Sequence, residues 1–79
     1  MFKRRIGRDP HADNTMSAST AGCPDIWELA NGDFAIIGCD MTGRLSSALP
    51  PTASCGAEER IVVIPRATLT RAKNDIPSV

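Results

Sequence analysis

The sequence predicts a small α+β protein: a two-layer ββαβα domain with an Asn-Gly β-hairpin and a three-stranded sheet. Two alternating apolar runs flank Asn31-Gly32, a dipeptide that favours a two-residue type I′ turn. The run Ile-Val-Val-Ile at 61–64 is β-branched and apolar on both faces, which is typical of a buried strand. Pro50-Pro51 and Pro65 delimit two segments with helical spacing.

A two-residue turn at Asn31-Gly32 determines the predicted register of the hairpin. Trp27 then lies opposite Ile36, and Ile26 lies opposite Ile37, because paired positions are equally distant from the turn. The face that we expect to form the core carries Trp27, Leu29, Phe34 and Ile36. The opposite face, which needs another cover, carries Ile26, Glu28, Ala35 and Ile37.

Two short helices complete the prediction. Asp40 is placed to cap a helix within 41–49, whose apolar stripe is Met41, Leu45, Ala48 and Leu49. The second helix spans 66–73 and begins after Pro65, with Leu69 and Ala72 facing inward. The segment 50–59 between them has the composition of a loop.

The chain divides into an N-terminal segment and one domain. Residues 1–22 are polar and basic with no hydrophobic period, which predicts a flexible tail. Residues 23–79 form the predicted single domain. A domain of that size buries only about 60% of its unfolded surface, so we expect a homodimer or another protein to complete it.

Charge is balanced overall but uneven along the chain. Nine basic and nine acidic residues cancel, while Lys3, Arg4, Arg5 and Arg8 cluster in the tail. From Cys23 onward acidic residues exceed basic ones. A groove that neutralises many phosphates needs more positive charge than this, so nucleic acid is a less favoured partner than protein.

Residues that carry catalysis or bind metal are scarce. The cysteines Cys23, Cys39 and Cys55 lie sixteen residues apart, whereas zinc sites use close ligand pairs. His11 is the one histidine and lies in the predicted tail, so a nucleophile would lack a positioned base. We therefore predict no enzyme activity, no cofactor and no metal site.

The sequence also predicts a cytoplasmic location. The basic residues near the N-terminus are followed by a polar segment rather than by the apolar run of a signal peptide. No stretch approaches the roughly 20 apolar residues of a membrane span. An odd number of cysteines is consistent with reduced thiols.

The segment Arg60-Ile61-Val62-Val63-Ile64-Pro65-Arg66 resembles the start of the swapped-hairpin AbrB/MazE-type antitoxin fold. That family reads roughly G-R-[IV]-x-[IV]-P-[KR], and this chain has Glu59 in place of the glycine. The resemblance implies a dimeric DNA-binding regulator in which Arg60 and Arg66 contact DNA.

A longer resemblance covers most of residues 23–77. The runs CPDIWELANGDFAIIG and ERIVVIPRATL resemble a group of short uncharacterised actinobacterial proteins with variable polar N-termini. No activity is known for that group, so the resemblance implies only that the folded part is a self-standing unit.

These observations favour a small non-enzymatic protein-interaction module: an accessory, adaptor or regulatory protein that docks to another protein or to itself. The predicted partner-binding residues are Ile26, Ile37 and Trp27. The alternative is a dimeric DNA-binding regulator or antitoxin-like protein that uses Arg60, Arg66, Arg71 and the basic N-terminal tail.

Overall fold

The computed structural model describes residues 1–9 and 24–78. Within those ranges the strands are β1 (Phe2–Arg5), β2 (Asp25–Leu29), β3 (Phe34–Ile37), β4 (Cys39–Asp40) and β5 (Val62–Val63). The helices are α1 (Thr42–Leu45) and α2 (Arg66–Ala72), and 3₁₀ turns extend them over Ser46–Ala48 and Lys73–Asp75.

The strands form two antiparallel sheets. One has three strands in the order β1-β2-β3, and the other pairs β4 with β5. The small α+β class, the hairpin and the three-stranded sheet are therefore confirmed. The third strand is β1 rather than the predicted run at 61–64.

The N-terminal residues are part of the fold, so the predicted flexible tail is wrong for residues 1–9. β1 is antiparallel to β2, with Arg4 opposite Glu28 and Arg5 opposite Trp27. The Ala30 N–H also donates to the Met1 carbonyl at 2.8 Å. The basic residues that suggested a solvated tail become strand residues because β2 supplies carboxylates to pair with them. Residues 10–22 lie outside the described residues.

The hairpin turns at Asn31-Gly32, but its predicted register is wrong by one residue. The loop contains three residues: the Leu29 N–H donates to the Asp33 carbonyl at 2.8 Å, and the Gly32 N–H donates to the Leu29 carbonyl at 3.0 Å. Gly32 has φ +95°, as three-residue loops that end in a left-handed glycine require. Ile26 consequently lies opposite Ile36.

The shifted register moves every side chain of β3 to the other face relative to β2. Trp27 and Leu29 lie on one face of the sheet, and Phe34 and Ile36 lie on the other with Ile26. The predicted core of Trp27, Leu29, Phe34 and Ile36 is therefore divided between two faces. The observed core consists of Ile6, Ile26 and Ala72, exposed by 3%, 6% and 0%, with Ile64 packed beside it.

The run at 61–64 does not form a strand buried on both faces. β5 contains only Val62 and Val63, which are 39% and 44% exposed, and it pairs with β4. Its place in the larger sheet is taken by β1. A two-stranded ribbon presents much of its apolar surface to solvent, which is why the prediction of double burial is wrong.

The two helices lie near their predicted positions. The Thr42 N–H donates to the Asp40 Oδ1 atom at 3.0 Å at the start of α1. In α2, Ala72 is buried as predicted, whereas Leu69 is 55% exposed. Leu69 lies on the same side of α2 as Ala72, and its apolar side chain remains about half exposed beside the sheet.

Two glycines provide a matched test of how α2 packs on the sheet. Gly7 and Gly32 both have positive φ, +87° and +95°, but a Cβ on Gly7 would lie 3.2 Å from Ala72 Cα, whereas one on Gly32 would meet nothing within 4 Å. We expect Gly32→Ala to lower the free energy of unfolding by about 1 kcal/mol through backbone strain. Gly7→Ala should cost about 3 kcal/mol, because displacement of α2 adds to that strain. Urea denaturation measures both, and equal losses would contradict the close packing at Gly7.

Candidate functional site

An open apolar groove lies between the three-stranded sheet and α2. Its floor is the core of Ile6, Ile26 and Ala72, and its volume is about 190 Å³. The walls are formed by Phe34, Ile36, Leu69 and Ile76, which are 43%, 48%, 55% and 50% exposed. These seven residues are called the apolar groove below.

The sequence places the wall residues by simple periodicity. Phe34 and Ile36 are two positions apart on β3, so both side chains lie on the face that α2 covers. Leu69 and Ala72 are three positions apart on α2, so they share the face that looks onto the sheet. Ile76 follows the 3₁₀ turn and completes the lining of the groove.

Polar contacts at one end hold α2 in place over the sheet. Arg4 donates from Nε to Glu28 Oε1 at 2.9 Å and from Nη2 to the Asp75 carbonyl at 2.7 Å. The Gly7 N–H donates to Asp75 Oδ2 at 2.8 Å. We call the contacts of Arg4 and Gly7 with Asp75 the terminal clasp. The clasp therefore ties the segment after α2 to β1 and to Gly7 beside the groove.

The opposite face of the sheet carries a polar and aromatic cluster. Arg5 donates from Nε and Nη2 to the Asp25 carboxylate at 3.1 Å and lies 4.5 Å from the centre of the Trp27 ring. The Trp27 indole donates to Asp25 Oδ2 at 3.0 Å, and Phe2 meets the indole edge-on at 5.8 Å. Hydrogen bonding to Asp25 raises the pKa of Arg5. Asp25 is only 8% exposed, and its carboxylate is hydrogen-bonded to Arg5 and Trp27 within this cluster.

The predicted partner-binding residues do not form one surface. Ile26 is 6% exposed and lies beneath α2 at the floor of the apolar groove. Ile37 is 50% exposed and lies on the opposite face. Trp27 shares that face but is half-buried beside Phe2 and Arg5. The shifted register separates Ile26 from the other two.

The groove residues that the sequence prediction missed are Phe34, Ile36, Leu69 and Ile76. Phe34 and Ile36 were assigned to a buried core, and Leu69 was assigned to the inward face of its helix. The spacing of Leu69, Ala72 and Ile76 is a helical stripe that continues past the end of α2, and this stripe is the signal that indicates the groove.

The arginines of the alternative prediction have different surroundings. Arg60 donates from Nη2 to Asp40 Oδ2 at 2.8 Å. Hydrogen bonds from Thr42, followed by those from Arg60, lower the pKa of Asp40 to about 2. Arg66 is exposed at the start of α2, and Arg71 is half-buried near the end of that helix. Arg60 therefore already has a carboxylate partner at its exposed position.

The described residues contain no cluster of three or more His, Cys, Asp or Glu side chains that could hold a metal ion. Cys39 and Cys55 are free thiols, and Cys23 lies outside the described residues. Within the same part of the chain, no helix has the length and apolar character needed to cross a membrane.

Three kinds of comparison bear on the identity of the chain. No family model, curated protein or solved structure matches it.

Proposed function

We propose that this chain is a small non-enzymatic protein-interaction module of the cytoplasm, and that it docks an apolar segment of another protein in the apolar groove. The observation that carries the proposal is the groove itself: four half-exposed apolar walls surround an apolar floor.

The chemistry of the groove favours binding by burial. Its lining residues are Ile, Phe, Leu and Ala only, so they offer no ionisable or nucleophilic side chain for a reaction. Burial of apolar surface stabilises a complex by about 25 cal/mol for each Å² removed from water. An amphipathic helix binds in apolar grooves through side chains at positions i, i+3, i+4 and i+7. A groove between a helix and a sheet accepts such a row of side chains.

The small core supports the same proposal. Among the described residues, the buried hydrophobic side chains are Ile6, Ile26 and Ala72. Domains with so little core commonly depend on a staple, a metal or a partner. A partner in the groove would cover Phe34, Ile36 and Leu69 and so extend the core.

The DNA-binding alternative stays a prediction and has less support. Arg4 and Arg5 form ion pairs with Glu28 and Asp25, and Arg60 pairs with Asp40. Contacts between these arginines and phosphates would compete with those carboxylates. A gel shift on random duplex DNA at about 50 mM salt tests this alternative, because non-specific affinity is strongest at low salt.

Affinity capture with matched variants tests the docking proposal. Leu69→Lys places a charge in the groove at a residue that is 55% exposed, and Val62→Lys makes the same change outside the groove at a residue that is 39% exposed. We expect proteins captured from an extract of the native organism by the unmodified chain and by Val62→Lys to be lost with Leu69→Lys. Circular dichroism confirms that both variants fold.

Identical sets of captured proteins for all three chains would contradict docking in the groove. Peptides from the sequence of a captured protein then identify the segment that binds. The proposal requires that segment to be apolar, and its affinity for the Leu69→Lys variant should fall at least tenfold.

A further inference from the structure

The two edges of the three-stranded sheet differ in how they are protected. β1 forms one edge and carries Lys3, Arg4 and a register irregularity between Phe2 and Arg4, which are features that prevent pairing with another chain. β3 forms the other edge and reads Phe34-Ala35-Ile36-Ile37, without charge, proline or bulge. Among residues 1–9 and 24–78, no strand pairs with the outer side of β3.

The hydrogen-bond pattern of the hairpin shows which groups of β3 are available. The Leu29 N–H donates to the Asp33 carbonyl, so Asp33 bonds toward β2. In an antiparallel pair the hydrogen-bonded positions alternate, so Ala35 and Ile37 also bond toward β2. The backbone N–H and C=O groups of Phe34 and Ile36 therefore point outward.

We propose that β3 pairs antiparallel with β3 of a second copy of this chain, around a two-fold axis at Ala35. Phe34 then lies opposite Ile36 of the second copy. Both residues have outward-pointing backbone groups, so the two symmetric pairs form four backbone hydrogen bonds and create a six-stranded sheet. A strand that places its outward-bonding residues symmetrically about a small central residue is complementary to itself.

Side chains and charges fit this pairing. Phe34 and Ile36 form aromatic and β-branched cross-strand pairs, which stabilise antiparallel sheets. Ala35 meets its own copy where the strands approach most closely, and its methyl group fits there. Asp33, the charged residue next to the strand, lies opposite Ile37 of the second copy. The two Asp33 carboxylates are about 13 Å apart along the strands, so like charges do not meet.

The area available indicates a dimer of modest affinity. Phe34, Ile36, Leu69 and Ile76 are each about half exposed on the face where the two apolar grooves become neighbours. Pairing of the two β3 edges leaves these side chains on one face of the six-stranded sheet, and an interface made mainly of strand edges is smaller than the roughly 1,200 Å² of a standard interface. We therefore expect a weak dimer that forms at high protein concentration. This proposal goes beyond docking in the groove, since it assigns the β3 edge to a second copy and leaves the groove open to another protein.

Hydrogen exchange and solution mass test the proposal together. The chain has a mass of 8.4 kDa, and sedimentation at about 1 mM should give twice that value. NMR at the same concentration should show slow exchange of the Phe34 and Ile36 amides, which become fast on dilution well below the dissociation constant. The Ala35 and Ile37 amides should remain slow at both concentrations, because they report the hairpin alone.

Two lysine variants separate this interface from others. Ile36→Lys should weaken dimerisation at least 100-fold, whereas Val62→Lys, on β5, should leave it unchanged. A monomer at 1 mM would overturn the proposal, as would a dimer in which the Phe34 and Ile36 amides exchange fast. If Ile36→Lys does not fold, the dilution experiment on the unmodified chain decides. The capture experiment with Leu69→Lys tests docking in the groove, and the solution mass of the unmodified chain tests dimerisation. The two proposals can therefore fail independently.

Discussion

Removal of residues 1–5 should abolish the folded state. β1 supplies Arg4 and Arg5, and its loss leaves Glu28 and Asp25, each 8% exposed, without their guanidinium partners. The sheet would be reduced to a hairpin, and two-stranded hairpins are marginally stable at best in water. We expect loss of NMR chemical-shift dispersion and of a cooperative thermal transition.

The control for this truncation is Lys3→Ala. Lys3 lies in the same strand but is exposed, so its substitution should change stability by less than about 0.5 kcal/mol. The truncated chain should regain structure when a peptide of residues 1–9 is added in excess. A well-dispersed spectrum from the truncated chain alone would show that β1 is dispensable.

Asp25→Ala should be the most destabilising single substitution on the sheet. Asp25 accepts hydrogen bonds from Arg5, from the Trp27 indole and from the Ile26 N–H at 3.1 Å. Its removal leaves the Trp27 and Ile26 donors unsatisfied, and Arg5 keeps the longer contact with Asp9 at 3.6 Å but loses its hydrogen-bonded counter-charge. Breaking a buried ion pair costs 3–5 kcal/mol. The Arg5 side chain is about one-third exposed, so we expect a loss of about 3 kcal/mol.

Urea denaturation followed by Trp27 fluorescence measures this loss directly. Glu58→Ala is the matched control, because it removes the same charge from an exposed position and should change stability by less than about 0.5 kcal/mol. Similar midpoints for the two variants would contradict a structural role for the Asp25 cluster. Asp25→Asn should fall between them, since the amide oxygen still accepts from Trp27.

Local signals predicted the elements better than their arrangement. Asn31-Gly32 located the turn because glycine readily adopts positive φ, and Pro65 located the start of α2 because its ring fixes φ near the helical value. The loop length at the hairpin was not predictable in the same way. Asn-Gly suits a two-residue loop, and Gly32 alone suits a three-residue loop. One residue of difference then reversed the face of every side chain on β3.

The strand at the N-terminus was missed for a different reason. Arg4 and Arg5 read as a solvated segment because their partners, Glu28 and Asp25, lie about twenty residues away in sequence. Periodicity detects burial of apolar faces, and it does not detect ion pairs between strands. Predicting the apolar groove requires both the observed hairpin register, which places Phe34 and Ile36 beside α2, and the position of Ile6 after β1. Neither follows from the local pattern.

The terminal clasp has a consequence for how the chain is made. The Arg4 contact with Asp75 spans 71 positions of sequence and the Gly7 contact spans 68, so neither forms until synthesis has passed Asp75. Contacts of such long sequence separation slow folding. During synthesis the nascent hairpin therefore exposes the uncharged β3 edge before α2 exists to cover its apolar face. Exposed strand edges promote aggregation in such intermediates, so the rate of translation and the presence of chaperones should influence the yield of native protein.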